Sequence, residues 1–201
     1  MVEVPFRKVG EDCGVVAVYR PGGAAAELVH RALFALQHRG QEASGIAVWN
    51  GSEISHLKGR GLVAESLPTY RVANLDGDSA IGHNRYSTVT VDRSENIQPF
   101  LAGTPYGRFA IAHNGNIKNQ DALTQELEAE GALLSTTMDT ELIVHLIARS
   151  GAATFEDALR KAFDRAKGAY SLTMVVNGKL YGARDPNGIR PLVLGKLHDG
   201  G

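Results

Sequence analysis

The 201-residue sequence has a single cysteine, a single tryptophan and no block of charge of one sign. One cysteine cannot form an internal disulfide, and it cannot supply a four-thiolate zinc or iron–sulfur site within one copy. The composition therefore fits a reducing compartment, with a cytoplasmic location as the default. Nowhere do about 18 consecutive apolar residues occur, and the opening MVEVPFRKVGED carries charges without an apolar run, which argues against a membrane span and a signal peptide. The formal net charge of -1 comes with no basic cluster, so the electrostatic footprint of a nucleic-acid binder is missing and a small-molecule partner is favoured. Internal repeats and low-complexity tracts are also absent. What is present is 43% hydrophobic content, enough for one globular domain, at most two, that buries about 70% of its unfolded surface.

The patterning reads as alternating blocks. CGVVAVY (13–19) is a strand, and AAELVHRALFALQHRG is an amphipathic helix with Leu28, Ala32, Ala35 and Leu36 on its apolar face and Gly40 as its stop. GIAVWN and SEISHLKG flank Asn50-Gly51 and predict a hairpin; SAIGHNRYS, PFLAG and RFAIAHNG predict three more strands. Two or three helices follow in NQDALTQELEAEG, DTELIVHLIARSG and FEDALRKAFDRAKG, each closed by glycine. AYSLTMVV, the turn Asn177-Gly178, KLYGARD and PLVLG predict a closing meander. Hairpins with helices inserted in runs point to an α+β protein with antiparallel sheets.

Several segments suit chemistry as well as packing. Cys13 follows two acids and opens a strand; taken alone it reads as a buried small hydrophobe, as free cysteines usually are. HNRYST (83–88) sets Arg85 beside hydroxyls at a strand end, where a forked guanidinium could grip a carboxylate or simply be solvated. HNGN (113–116) is either an Asn-Gly turn or, given the apolar run before it, an amide and a glycine N–H aimed together at one oxygen. Asp139 heads a helix, where an acid is favoured by the dipole and could equally meet an ammonium group.

Seven segments in order, CGVVAVY, LQHRGQEASGIAV, HNRYST, QPF, HNGNI, DTEL and RDPNGIRPLVLG, span residues 13 to 195. Together they resemble the glutaminase domain of the amidophosphoribosyltransferase family, within the class II glutamine amidotransferases. QHRGQEASGIA and DPNGIRPL look like the purine enzymes specifically; glucosamine-6-phosphate synthase has a YRGYDSAG-type segment and a tryptophan where Tyr86 stands here.

The resemblance implies an αββα sandwich of the N-terminal nucleophile hydrolase type and overturns the structural reading of Cys13. A thiol with a reference pKa of about 8.5 needs a base, and a free α-amine of about 7.7 to 8 on the same residue could serve. On the family pattern Cys13 is the nucleophile, while the Asn114 side chain and the Gly115 N–H stabilise the oxyanion. Arg85 holds the glutamine α-carboxylate, and Asp139, with Thr88 assisting, holds the α-ammonium. His83 is left as a structural strand-end residue. Residues 1–12 are then a propeptide and 13–201 the glutaminase domain. The implied partners are glutamine and a phosphoribosyltransferase domain not found in this sequence, with no nucleic acid or membrane partner and with homo-oligomerisation of the full-length protein left open. No cofactor or metal is expected in this chain; the magnesium of full-length relatives, and the iron–sulfur cluster that some carry, belong to the other domain. One departure stands out: VTVDRSEN follows HNRYST where the family has small residues, so closure over glutamine can be expected to differ. Two other readings remain, the ammonia-supplying domain of another class II synthase and a non-catalytic glutamine-binding module.

Overall fold

The computed structural model describes residues 13–86 and 94–197. In chain order the elements are β1 (Gly14–Tyr19), α1 (Ala25–Ala35), β2 (Ala43–Trp49), β3 (Ile54–Arg60), α2 (Val63–Ser66), α3 (Thr69–Val72) and β4 (Ser79–Arg85), then β5 (Phe100–Thr104) and β6 (Gly107–Ile117). They continue with α4 (Gln120–Ala129), α5 (Asp139–Ala148), α6 (Phe155–Arg165), β7 (Gly168–Val176) and β8 (Lys179–Arg184). The strands form two four-stranded antiparallel sheets, ordered β1-β4-β2-β3 and β5-β6-β7-β8.

Three apolar clusters show how the layers stack. Val29 and Leu33 of α1 pack with Ile46, Val48 and Ala80 on the outer face of the first sheet. Leu142, Ile143 and Ile147 of α5 and Leu159 of α6 pack with Phe109, Ile111 and Leu172 on the outer face of the second. Between the sheets lie Ala47, Ile81, Ala110, Ala112 and Val175, mostly small side chains that let the two faces approach closely. The result is the expected αββα sandwich. Polar pins cross the same interface: Thr173 Oγ1 donates to Val16 O at 3.3 Å and Ser79 Oγ to Gly178 O at 2.7 Å.

Several details depart from the sequence reading. The buried stripe of α1 is Ala25, Ala26, Val29 and Leu33, not Leu28, Ala32, Ala35 and Leu36. The helix is apolar on both neighbouring faces, and Gly82 of β4 decides between them: a Cβ there would lie 2.5 Å from Val29 and 3.1 Å from Leu33, so the bare backbone is the seat for that stripe. Gly40 is extended (φ -160°), not a left-handed stop; its missing side chain lets the chain lie against Arg85, whose carbonyl carbon would be 2.6 Å from a Cβ. Gly131 (φ 80°) and Gly151 (φ 60°) do follow α4 and α5 in left-handed geometry, but Gly168 opens β7, pressed against the Asn116 carbonyl.

PLVLG forms no strand. The Asp185 carboxylate captures the N–H groups of Asn187, Ile189 and Arg190 at 3.0 to 3.1 Å, which turns the chain off the sheet after β8 and leaves Val193 and Leu194 exposed. The short α2 and α3, four residues each, span a stretch in which no periodic pattern was legible.

Candidate active site

Cys13 sits immediately before β1, beside the end of β4, because β1 pairs Gly14 with Asn84. Its Sγ lies 3.5 Å from both the N and the O of Tyr86, and its carbonyl accepts Arg39 Nε at 3.2 Å. The thiol is half-buried. Asn84, the partner of Gly14, is locked in the sheet, donating to Leu33 O at 2.8 Å and accepting from Ser44 Oγ at 2.9 Å.

Asn114 and Gly115 come from the second sheet. They lie inside β6, opposite Ser171 and Tyr170 of β7, so HNGN is not a turn. Gly115 has φ 154°, and a Cβ there would run into the Ala169 carbonyl and lie 2.7 Å from Tyr170 Cα, so the position requires glycine. A cavity of about 690 Å³ opens between the sheets, lined by Cys13, Arg39, Asn114 and Thr173 and walled by apolar side chains such as Leu36 and Leu192. The cavity brings Cys13 and Asn114 together; Arg85, Gly115 and Asp139 do not line it.

Arg85 ends β4 and is buried between the strands, paired across to Ala43 of β2. Asp139 is the first residue of α5. Its Oδ1 lies 3.1 Å from His113 Nδ1, and its Oδ2 accepts the Ile117 N–H at 2.9 Å. Burial pushes this carboxyl up, but His113 and the backbone donors outweigh it and hold the pKa below the usual carboxylate range. Asp139 is therefore ionised at neutral pH with its inner lone pairs engaged, and a carboxylate keeps further acceptor sites for an ammonium. Thr88 lies outside the described residues. His83 is fully buried, its Nε2 3.2 Å from the His113 carbonyl; burial depresses its pKa to about 3, so it is a neutral pin between the sheets.

Three residues received no role from the sequence although each lies in a quoted segment: Arg39 in QHRG, Gln98 in QPF and His113 in HNGNI. Only the fold shows that Arg39 bonds the Cys13 carbonyl and that Gln98 bonds the backbone of His113, the neighbour of Asn114. Among the described residues no three His, Cys, Asp or Glu side chains gather to hold a metal ion. No helix among them is long and apolar enough to cross a membrane.

A family model described as a glutamine amidotransferase domain matches residues 83–201. The chain belongs to the glutamine amidotransferase domain family. Among curated relatives of this amidotransferase domain are an amidophosphoribosyltransferase of Synechococcus elongatus, 46% identical over 95% of this chain, and chloroplastic amidophosphoribosyltransferase 3 of Arabidopsis thaliana, 44% identical over 96%. The chain spans 39% and 36% of their lengths, respectively. Two solved structures superpose closely. One is described as the allosteric regulatory enzyme of purine biosynthesis (TM-score 0.87, 38% identity, 92% of this chain and 40% of that one). The other is the glutamine phosphoribosylpyrophosphate amidotransferase of B. subtilis complexed with ADP and GMP (TM-score 0.83, 37% identity, 94% and 40%). The amidotransferase domain thus has the N-terminal nucleophile hydrolase fold.

Proposed function

We propose that this domain hydrolyses glutamine to glutamate and ammonia through a cysteinyl thioester at Cys13. The observation that carries the reading is the single cavity lined by Cys13 from the first sheet and Asn114 from the second, a nucleophile facing an amide donor across an apolar-walled space. The Cys13 thiolate attacks the side-chain amide carbon of glutamine, and the carbonyl π pair moves to oxygen, where the Asn114 side chain and the Gly115 N–H stabilise it. When the C–N bond breaks, the proton first taken from the thiol by the Cys13 α-amine passes to the leaving ammonia. Water, deprotonated by the same amine, then adds to the thioester and expels the thiolate. Arg85 grips the substrate α-carboxylate; Asp139, with Thr88, grips the α-ammonium.

The α-amine exists only if the peptide bond before Cys13 is cleaved, so residues 1–12 act as a propeptide in this reading. The amidophosphoribosyltransferase names of the relatives, and the purine-biosynthesis description of one solved structure, support a destination for the ammonia: phosphoribosyl pyrophosphate, bound by a phosphoribosyltransferase domain, at the first committed step of purine synthesis. This chain needs no cofactor for its half of the reaction. Glutamine hydrolysis measured together with the intact mass of the active species tests the proposal. The expected result is turnover by material that begins at Cys13 and none from Cys13→Ala. Full activity from a homogeneous chain still carrying residues 1–12 would refute the mechanism, and glutamine binding without hydrolysis would favour a non-catalytic module.

A further inference from the structure

The ladder between β5 and β6 pairs Leu101 with Ala110 and ends at Phe100 opposite Ile111. Continued by one two-residue step, that register would set Gln98 opposite His113. The main chain does not continue there. It veers to the first sheet, where Lys58 Nζ donates to Ile97 O at 3.0 Å and the bare Gly45 of β2 admits the Gln98 carbonyl, with Pro99 Cδ 3.0 Å from where a Cβ would be. The Gln98 side chain takes over instead: its Oε1 accepts the His113 N–H at 2.6 Å, and its Nε2 donates to the His113 carbonyl at 3.5 Å. A side-chain amide thus stands in for the main-chain amide of a missing strand, and Gln98 is itself buried.

The edge of β6 held in this way carries the proposed oxyanion donors. N–H groups along a strand point alternately to its two sides. Since His113 and Ile117 point away from β7, so does Gly115 between them. Gln98 holds the first of these three donors and the Asp139 carboxylate the third, at 2.9 Å. The His113 ring turns toward α5, 3.2 Å from Thr140 Oγ1, so the next side chain, Asn114, faces the opposite way, into the cavity. We infer that Gln98 is a positioning residue, whose side-chain amide fixes β6 at His113 so that the Asn114 amide and the Gly115 N–H converge on the oxyanion. The inference rests on the glutaminase reading above.

The test is glutamine hydrolysis by the purified protein, by Gln98→Met, which keeps the volume but loses both hydrogen bonds, and by Gln98→Glu. A misplacement of about 1 Å costs on the order of 10²-fold, so Gln98→Met should lower kcat by about 10-fold to 10²-fold with KM within about threefold. Added to Asn114→Ala, it should cost clearly less than it costs alone. Gln98→Glu supplies the decisive signature: as a carboxylate it can only accept, but as a carboxylic acid it both accepts and donates, so its turnover relative to the unaltered protein should recover as pH falls. Should Gln98→Met not fold, as judged by circular dichroism, Gln98→Glu carries the test alone. Unchanged kcat in Gln98→Met, full additivity with Asn114→Ala, or a pH-independent ratio for Gln98→Glu each overturns the inference. An unaltered protein that binds glutamine but does not hydrolyse it refutes the glutaminase reading instead.

Discussion

Glu141 offers a test of how the loop before Asp139 is built. It lies in the first turn of α5, is 3% exposed, and gathers four donors: the N–H and O–H of Ser135 at 2.9 and 2.7 Å, and the N–H and O–H of Thr136, both at 2.7 Å. Thr136 Oγ1 in turn accepts the Met138 N–H at 3.1 Å, one residue before Asp139. In Glu141→Gln one oxygen still serves two donors, but the NH₂ faces the other two. The Thr136 hydroxyl can rotate to accept, whereas its N–H is left without a partner. Orphaning a buried donor costs about 1–3 kcal/mol, and the surviving bonds lose their charge assistance, so destabilisation of about 3–5 kcal/mol is expected. At roughly 2–4 °C per kcal/mol for a domain of this size, thermal unfolding should fall by about 6 to 20 °C. The pH dependence follows from the same bonds. Burial raises the Glu141 pKa, but the Ser135 and Thr136 donors more than offset this and hold it below the usual value. A depressed carboxylate contributes stability above its unfolded pKa, about 4.3, and loses it as pH falls through the folded value. Glu141→Gln should lack that acid-side component. Calorimetry at neutral and acid pH decides: a midpoint within about 3 °C of the unaltered protein at neutral pH, or an undiminished acid slope, would refute this account of the loop.

Asn114→Ala should lower kcat for glutamine hydrolysis by about 10²-fold to 10³-fold with little change in KM, because the bond strengthens only in the transition state; a raised KM with unchanged kcat would remove Asn114 from the oxyanion site. Arg85→Ala should weaken glutamine binding, and a glutamine analogue lacking the α-carboxylate should discriminate strongly against the unaltered protein but little against the variant; equal discrimination in competition assays would show that Arg85 is not the carboxylate partner. His83 is neutral when folded, with its pKa pushed down to about 3, so the unfolded chain binds the extra proton first, and stability attributable to this side chain should drain away as pH falls from about 6.5 toward 3. His83→Gln should flatten that part of a urea-unfolding pH profile, and an unchanged profile would contradict the assignment.

The layers were legible because the chemistry that forms them is local. Apolar runs rich in β-branched residues, such as GVVAVY and AYSLTMVV, make strands, and the structure starts α6 through a contact as local, the Asp157 N–H donating to Thr154 Oγ1 at 3.1 Å. What depends on a distant partner, or on a side chain that captures its own following backbone, was not legible. LVL is as apolar as a strand, yet β8 is left as the sheet edge because Asp185 binds the following N–H groups. The face that α1 buries depends on a glycine 53 positions beyond Val29, at Gly82. The roles of Gln98 and His113 likewise depend on a strand that ends early.

Three of the four Asn-Gly pairs show the same limit within one dipeptide. Asn177-Gly178 takes left-handed geometry at both residues, φ 47° and 82°, and closes a two-residue hairpin between β7 and β8. At Asn50-Gly51 only the glycine is left-handed; the Asn50 Oδ1 instead gathers Ser52 and Glu53 N–H groups at 3.0 and 2.9 Å, making a four-residue loop between Trp49 and Ile54. At Asn114-Gly115 there is no turn at all, because β7 pairs with β6 straight through both residues. A dipeptide that readily bends is thus held extended by its neighbour strand. It is held at the one edge where β5 has stopped, with Gln98 on one side and Asp139 on the other. A turn in this place would send the amide and the glycine N–H to different sides. The extended strand is what the proposed oxyanion role of both groups requires.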